Sequence, residues 1–314
     1  MGLEFRKKII FYMIEEIKQR LGFYRKMQLW PIANELDYEN WLDNFQSKED
    51  KEIASQILDN FIYIPDTLVN QMLQTVIGYC GYFFSSVDST WTYDSFKNNC
   101  WYSFVQGEGE DDVTDSGYIF PRKLRDEADI PANRIMSFEK LIKKLEENES
   151  NPQNVILVDD FVGSGAQTDH TWNHVRCGTK RMTLGEHFQA NHHHIVYAPL
   201  LVNVKGFERI KRKCMGLHLE YVHLLTPEYS LLTKDSVFWK GNDQKYNTFM
   251  NMLDRIADDE GIPQTYGGHQ NDKWGFGAQG LALAFSHGIP DACPAFFYWE
   301  TETWKPLKKR CYHR

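Results

Sequence analysis

Apolar residues recur at three- and four-residue spacing through the first quarter of the chain, in IIFYMIEEIKQRL, IASQILDNF and TLVNQMLQTVIGY, which predicts helix over Glu4 to about Gly81. Pro65 and Asp66 stand where a helix begins in YIPDTLVNQML, because Asp caps a helix and Pro is tolerated near its start. After an aromatic, irregular stretch the period changes. WYSFVQ (101–106) reads as a strand, GEGEDDVTDSG as a loop, and YIFPRKLRDEA as a helix with Pro121 in its first turn. NRIMS reads as a short strand and FEKLIKKLEEN as a strongly patterned helix. VILV (155–158) is a continuous apolar run of strand length, as a strand buried on both faces of a parallel sheet requires, and a helix from near Ala166 follows it.

IVYAPLLVN (195–203), FERIKRKCM and LEYVHLL (219–225) continue the alternation of strand and helix. The last part holds a helix in QKYNTFMNMLDRIADDEG, a glycine-rich WGFGAQG (274–280) and a strand in LALAFS. Such alternation predicts an α/β fold, a parallel sheet covered by helices. No repeat, low-complexity tract or linker interrupts the chain, so the helical N-terminal region (1–90) is expected to pack directly on the α/β domain (91–314).

Composition sharpens this picture. With 314 residues, 42% hydrophobic and 14% aromatic, the chain has ample material for a core, which argues against disorder. The 43 acidic and 35 basic residues leave a net charge of -8, which excludes general nucleic-acid binding. The tail Lys305, Lys308, Lys309, Arg310 and Arg314 is the best local basic patch and reads as a solvated end. Cys80, Cys100, Cys177, Cys214, Cys293 and Cys311 form no CxxC pair and follow no signal-peptide core, so reduced thiols are expected. No uncharged run approaches the ~20 residues needed to cross a bilayer, and a cytoplasmic protein without membrane association is the expectation.

The chemistry concentrates in NVILVDDFVGSGAQT (154–168). In an open parallel sheet, ligands bind beyond the carboxyl ends of the strands. VILV delivers Asp159 and Asp160 to that edge, and Gly163, Ser164 and Gly165 can turn tightly and bring backbone amides, with a helix N-terminus behind them, to a phosphate. Carboxylates beside a phosphate loop need a reason to be there. They hydrogen-bond sugar hydroxyls or hold a divalent cation, and a ribose phosphate meets both conditions.

Four aliphatics, two acids, two apolar residues, then a small residue and a glycine loop: this resembles the phosphoribosyl-diphosphate motif of type I phosphoribosyltransferases. The resemblance covers roughly residues 100–300 and implies a Rossmann-type parallel sheet flanked by helices. It implies that Asp159 and Asp160 accept from the two ribose hydroxyls, and that Gly163, Ser164, Gly165, Ala166, Gln167 and Thr168 take the 5′-phosphate. It further implies that the loop after WYSFVQ grips the diphosphate with Asp115, Ser116 and Gly117, and that Mg2+ accompanies the ligand. The chain departs from the pattern in having Ala166 and Gln167 where many such enzymes place a second threonine, and in the acidic run Glu108, Glu110, Asp111 and Asp112 ahead of the diphosphate loop. The closing segment GFGAQGLALAFSHGIPDACPAFFYW and the N-terminal helices are similar to those of divergent phosphoribosyltransferase-like proteins of bacterial antiphage systems, some of them retron-associated. That implies a defence setting, with a reverse transcriptase or another defence protein as partner.

Other candidates are weighed against blander roles. His192, His193 and His194 are consecutive, point to opposite faces of a strand and read as a polar loop entering the strand. His170 and His174 share a helix face but lack the acid of an HExxH arrangement, so no metal site is expected. His287 in FSHGIPD is either structural or a general acid or base on a leaving group. Gly275, Gly277 and Gly280 have dinucleotide spacing without strand or helix around them and read as a loop, in which Trp274 or Phe276 could stack on a base. Leu29, Trp30, Trp41 and Leu42 read as core, with partner contact as the alternative.

Two functions remain open. One is an enzyme of the pentosyl-transferring or nucleotide-cleaving kind, making or breaking a bond at the ribose anomeric carbon. The other is a catalytically inactive module that senses a nucleotide or phosphoribosyl diphosphate and signals to a partner.

Overall fold

The computed structural model describes residues 3–31, 35–105, 119–148, 151–264 and 273–310. The diphosphate loop expected at Asp115, Ser116 and Gly117 lies outside the described residues, as do the acidic run before it, Cys311 and Arg314. The chain packs as two compact units, Met1–Asp66 with Thr226–Arg314, and Thr67–Leu225.

The second unit holds the parallel sheet. Strands β2 (Cys100–Phe104), β3 (Asn154–Val162), β4 (His194–Asn203) and β5 (His218–Leu219) lie in that order, and β6 (His223–Leu225) also pairs with β4, every pairing parallel. One face is covered by helices with apolar residues at helical spacing. Phe138, Leu141, Ile142 and Leu145 of α7 (Phe138–Glu147) pack with Trp172 of α8 (Ala166–Asn173), Leu184 of α9 (Leu184–Asn191) and Ile210 of α10 (Val204–Lys213) on Val155, Leu157, Ile195 and Tyr197 of the sheet. On the other face lies α4 (Asp66–Val87), whose Phe83 ring stacks on His218 with centroids 3.9 Å apart. The expected fold class, an α/β parallel sheet flanked by helices, is therefore the observed one.

Three strand expectations are corrected. β3 does not stop at Val158 but runs on through both aspartates to Val162, because β4 is long enough to pair with the extra residues, Phe161 against Leu201 and Val162 against Val202. LEYVHLL is two short strands rather than one. β5 pairs at Val196–Tyr197 and β6 at Leu201–Asn203, and Pro199, with no N–H for a ladder, sits in the gap. NRIMS is a turn of 3-10 helix (Ala132–Arg134) and a single bridge from Ile135 to Tyr102, since Pro131 sets a turn ahead of it.

α9 carries a full capping box: the Thr183 hydroxyl accepts the Glu186 N–H at 3.2 Å, and the Glu186 carboxylate accepts the Thr183 N–H at 2.8 Å. Thr183→Ala is expected to lower stability by about 1 kcal/mol, measured as a fall in the urea midpoint.

In the first unit, α1 (Leu3–Lys26) and α3 (Lys48–Asp59) pack together with α11 (Asp243–Glu260), and α2 (Tyr38–Asp43) adjoins them. Ile62–Ile64, inside the stretch read as helical, is instead strand β1, paired in parallel with β7 (Leu283–Phe285). Three residues are too few to show a period. Trp30, Trp41 and Leu42 are buried, as read, whereas Leu29 is exposed. The basic tail is solvated only in part: Lys305 and Lys309 are exposed, Lys309 pairing with Glu300 at 2.7 Å, whereas the buried Lys308 ammonium donates to the Ser286 carbonyl at 3.1 Å and the half-buried Arg310 lies over Tyr298. Among the described residues no helix is long and apolar enough to cross a membrane. The five described cysteines are free thiols, and burial pushes Cys214 and Cys293 up to about 12.

Candidate functional site

The site is the corner where β3 ends and α8 begins, at the carboxyl edge of the sheet. Val162 completes the strand, Gly163 and Ser164 leave it, and Gly165 takes the left-handed conformation, φ 71 and ψ 11, as N-cap of α8. A side chain at Gly165 would be strained by that φ and would also meet the Gly206 carbonyl oxygen at 3.0 Å. Gly165 offers no capping side chain. The Ser164 hydroxyl accepts the Ala166 N–H at 3.3 Å, and the amides of the first turn of α8 lie at this edge. Those amides and the helix dipole favour an anion.

The loop is seated from below by α10. Asn203 ends β4 and caps α10 by accepting the Lys205 N–H at 2.9 Å. That brings Gly206 so close that a Cβ on it would lie 2.6 Å from the Gly163 carbonyl oxygen and 3.2 Å from the Gly165 nitrogen. Lys205, next to Gly206 in the chain, is exposed. Asp169 ties the two helices: its carboxylate accepts from Asn173 at 2.8 Å and from the Arg209 guanidinium at 2.9 Å. Burial raises the Asp169 carboxyl, but the Asn173 amide and Arg209 outweigh it and hold the group below the ordinary aspartate value.

Both acids of the motif are buried, Asp159 6% exposed and Asp160 8%. Asp159 has the better-defined surroundings. One carboxylate oxygen accepts the Tyr197 phenol at 2.6 Å and the other accepts the Asp160 N–H at 2.9 Å. Burial, then the neighbouring Asp159 carboxylate, push the Tyr197 phenol well up, so it stays protonated and remains a donor. Thr168, expected to hold phosphate, turns its buried hydroxyl to Tyr197 and leaves only its backbone for that task.

The structure thus brings together Asp159, Asp160 and the loop Gly163–Thr168. His287 belongs to the other unit, where it is exposed and stacks on Phe285 at 5.0 Å, and Trp274 and Phe276 lie in that unit too. Gly275, Gly277 and Gly280 all have positive φ around a short 3-10 turn, in keeping with a loop. The histidine run is not the polar loop expected: His192 caps the end of α9, His193 is a buried core residue whose Nδ1 accepts the Gln153 N–H at 3.0 Å, and His194 opens β4. The His170 and His174 rings do face each other at 5.7 Å. Among the described residues no three Asp, Glu, His or Cys side chains are grouped so as to hold a metal ion.

Sequence reasoning missed Tyr197, Gly206, Asp169 and Arg209. A signal existed for the first, since a tyrosine in an otherwise aliphatic buried strand needs a partner for its hydroxyl.

No curated protein and no solved structure matches this chain. A family model does: residues 38–310 match PRTase-CE, and the chain belongs to that phosphoribosyltransferase-like family.

Proposed function

We propose that the β3–α8 corner binds the 5-phosphoribosyl part of phosphoribosyl diphosphate or of a ribonucleotide, and that the protein acts at the ribose anomeric carbon. The observation that carries this reading is the left-handed Gly165, which starts α8 at the end of β3 within one loop of two buried carboxylates. The α8 amides take the 5′-phosphate and an acid fixes the ribose hydroxyls. The bond at the anomeric carbon then breaks through an oxocarbenium-like state, with diphosphate or a base as leaving group. Magnesium, if bound with the ligand, would neutralise charge on the diphosphate.

Titration calorimetry with phosphoribosyl diphosphate and magnesium, followed by chromatography of the mixture, tests the reading. Binding with loss of diphosphate marks an enzyme, and no binding removes the substrate class. Asp160→Asn is expected to weaken binding about tenfold, the size of a lost charged hydrogen bond; unchanged affinity would argue against a ribose-facing acid.

One observation favours the second reading, a sensing module without turnover: Asp159 is already bonded to Tyr197 and to the Asp160 amide, where turnover by the motif would use both acids. Ligand bound tightly and recovered intact selects it. In either form we place the protein in antiphage defence, with a reverse transcriptase or another defence protein as partner, on the strength of its closing segment and N-terminal helices. Growth arrest on expression, relieved by Asp160→Asn, is the expected cellular outcome for an effector.

A further inference from the structure

The two acids of β3 are neighbours in sequence, and the two-residue repeat of a strand assigns them to opposite faces of the sheet, before the repeat is interrupted and Val162 returns to the face of Val155 and Leu157 against Gly206 of α10. Asp159 shares its parity with Val155 and Leu157, which lie with Tyr197 in the core beneath α7, α8, α9 and α10. Tyr197 pairs in register with Leu157, so its ring lies two residues back along β4 from the partner of Asp159, and its hydroxyl reaches that carboxylate diagonally at 2.6 Å. The same hydroxyl oxygen takes the side chain of Thr168, in the first turn of α8. Tyr197 is 1% exposed and Thr168 4%, so the contacts are closed to water.

We propose that Asp159, Tyr197 and Thr168 form a buried positioning chain that locks the first turn of α8 onto β3 and β4, while Asp160 alone faces the ribose. The paired acids then have separate work. Asp159 is a strong acceptor that holds Tyr197 in place, and Tyr197 in turn fixes the helix end whose amides take the phosphate. Tyr197 is a positioning residue that touches no ligand, yet phosphate affinity depends on it. The assignment of Asp160 rests on the phosphoribosyl reading above; the positioning chain stands on the geometry alone.

The test compares Tyr197→Phe and Asp160→Asn by two readouts, titration with inorganic phosphate and with ribose 5-phosphate, and amide hydrogen exchange across the loop and α8. Tyr197→Phe is expected to weaken both ligands by the same factor, between about 2- and 10-fold, the range of one lost hydrogen bond, and to speed exchange in the first turn of α8. Asp160→Asn is expected to weaken ribose 5-phosphate alone, leaving inorganic phosphate and exchange as in the wild type. Thr168→Val breaks the chain at its other end and carries the same test should Tyr197→Phe not fold. Unchanged exchange in both Tyr197→Phe and Thr168→Val overturns the positioning chain. Equal loss of inorganic phosphate in Asp160→Asn overturns the division between the acids. A wild-type protein that binds neither ligand defeats the phosphoribosyl reading and the role of Asp160, and the exchange data then decide the chain by themselves.

Discussion

Gly206→Ala is expected to abolish ribose 5-phosphate binding while leaving a folded protein. Gly206 sits in the first turns of α10 with the phosphate loop pressed against it. An added Cβ would stand 2.6 Å from the Gly163 carbonyl oxygen, 2.7 Å from a Val162 methyl and 3.2 Å from the Gly165 nitrogen. Two of these neighbours are backbone atoms, which cannot rotate aside as a side chain would, so the loop itself must move. The stability cost is softened by the helix. Overpacking costs about 1–3 kcal/mol, but alanine gains about 1 kcal/mol over glycine inside a helix, and the net loss is at most about 2 kcal/mol. Binding has no such compensation. A shift of about 1 Å in a ligand-positioning group costs on the order of 100-fold. Calorimetry with ribose 5-phosphate beside a urea melt separates the two effects. Wild-type affinity in Gly206→Ala would show that this loop does not grip the phosphate. Gly165→Ala is a companion with a different balance, since a left-handed φ of 71 adds about 1–2 kcal/mol of backbone strain to a 3.0 Å contact.

The same corner shows what could be read from the chain and what could not. Apolar runs bounded by acids and glycines located β3, the phosphate loop and the start of α8, because burial on both faces and the turn chemistry of glycine are local properties. The end of β3 was misjudged because it depends on its partner. Asp159 and Asp160 are drawn into the ladder by Leu201 and Val202 of β4, about forty residues on, and no local pattern records that pairing. Gly206, Asp169 and Arg209 were invisible for the same reason, and Tyr197 signalled only that its hydroxyl needs a partner, not which one: each acts through a contact between elements separate in sequence. β1 was hidden differently, as a strand of three residues whose partner β7 comes from the far end of the chain. The N-terminal helices were legible as helices, yet nothing in them indicated that α1, α2 and α3 fold into one compact unit with the C-terminal segment while α4 belongs to the unit of the parallel sheet.

Asp169 supplies a pH-dependent clamp on this corner. Its carboxylate accepts from Asn173 within α8 and from Arg209 of α10, and it lies in the first turn of α8, where the helix dipole also favours negative charge. Asp169→Ala removes both bonds and leaves Arg209 without this partner. Hydrogen bonds to charged groups contribute about 1.5–3 kcal/mol each, but the Arg209 side chain is 39% exposed and solvent screens its share, so the expected loss at neutral pH is about 2 kcal/mol in total. The sign of the pH dependence follows from the lowered carboxyl. In the unfolded chain the group titrates near an ordinary aspartate value of about 3.9, and in the folded protein it titrates lower. Between those two values the unfolded state binds more protons, so stability falls as pH falls through that window. The clamp is fully present above about pH 5, and its contribution is lost on acidification toward the folded-state value. Urea unfolding of wild type and Asp169→Ala is therefore expected to show the full gap at pH 7 and a narrower one at about pH 3. Salt should erode part of the neutral-pH gap, since one partner is exposed. A gap that widens in acid would mean that Asp169 is held above its unfolded value, with burial outweighing Arg209 and Asn173, and α8 would then need some other anchor to α10.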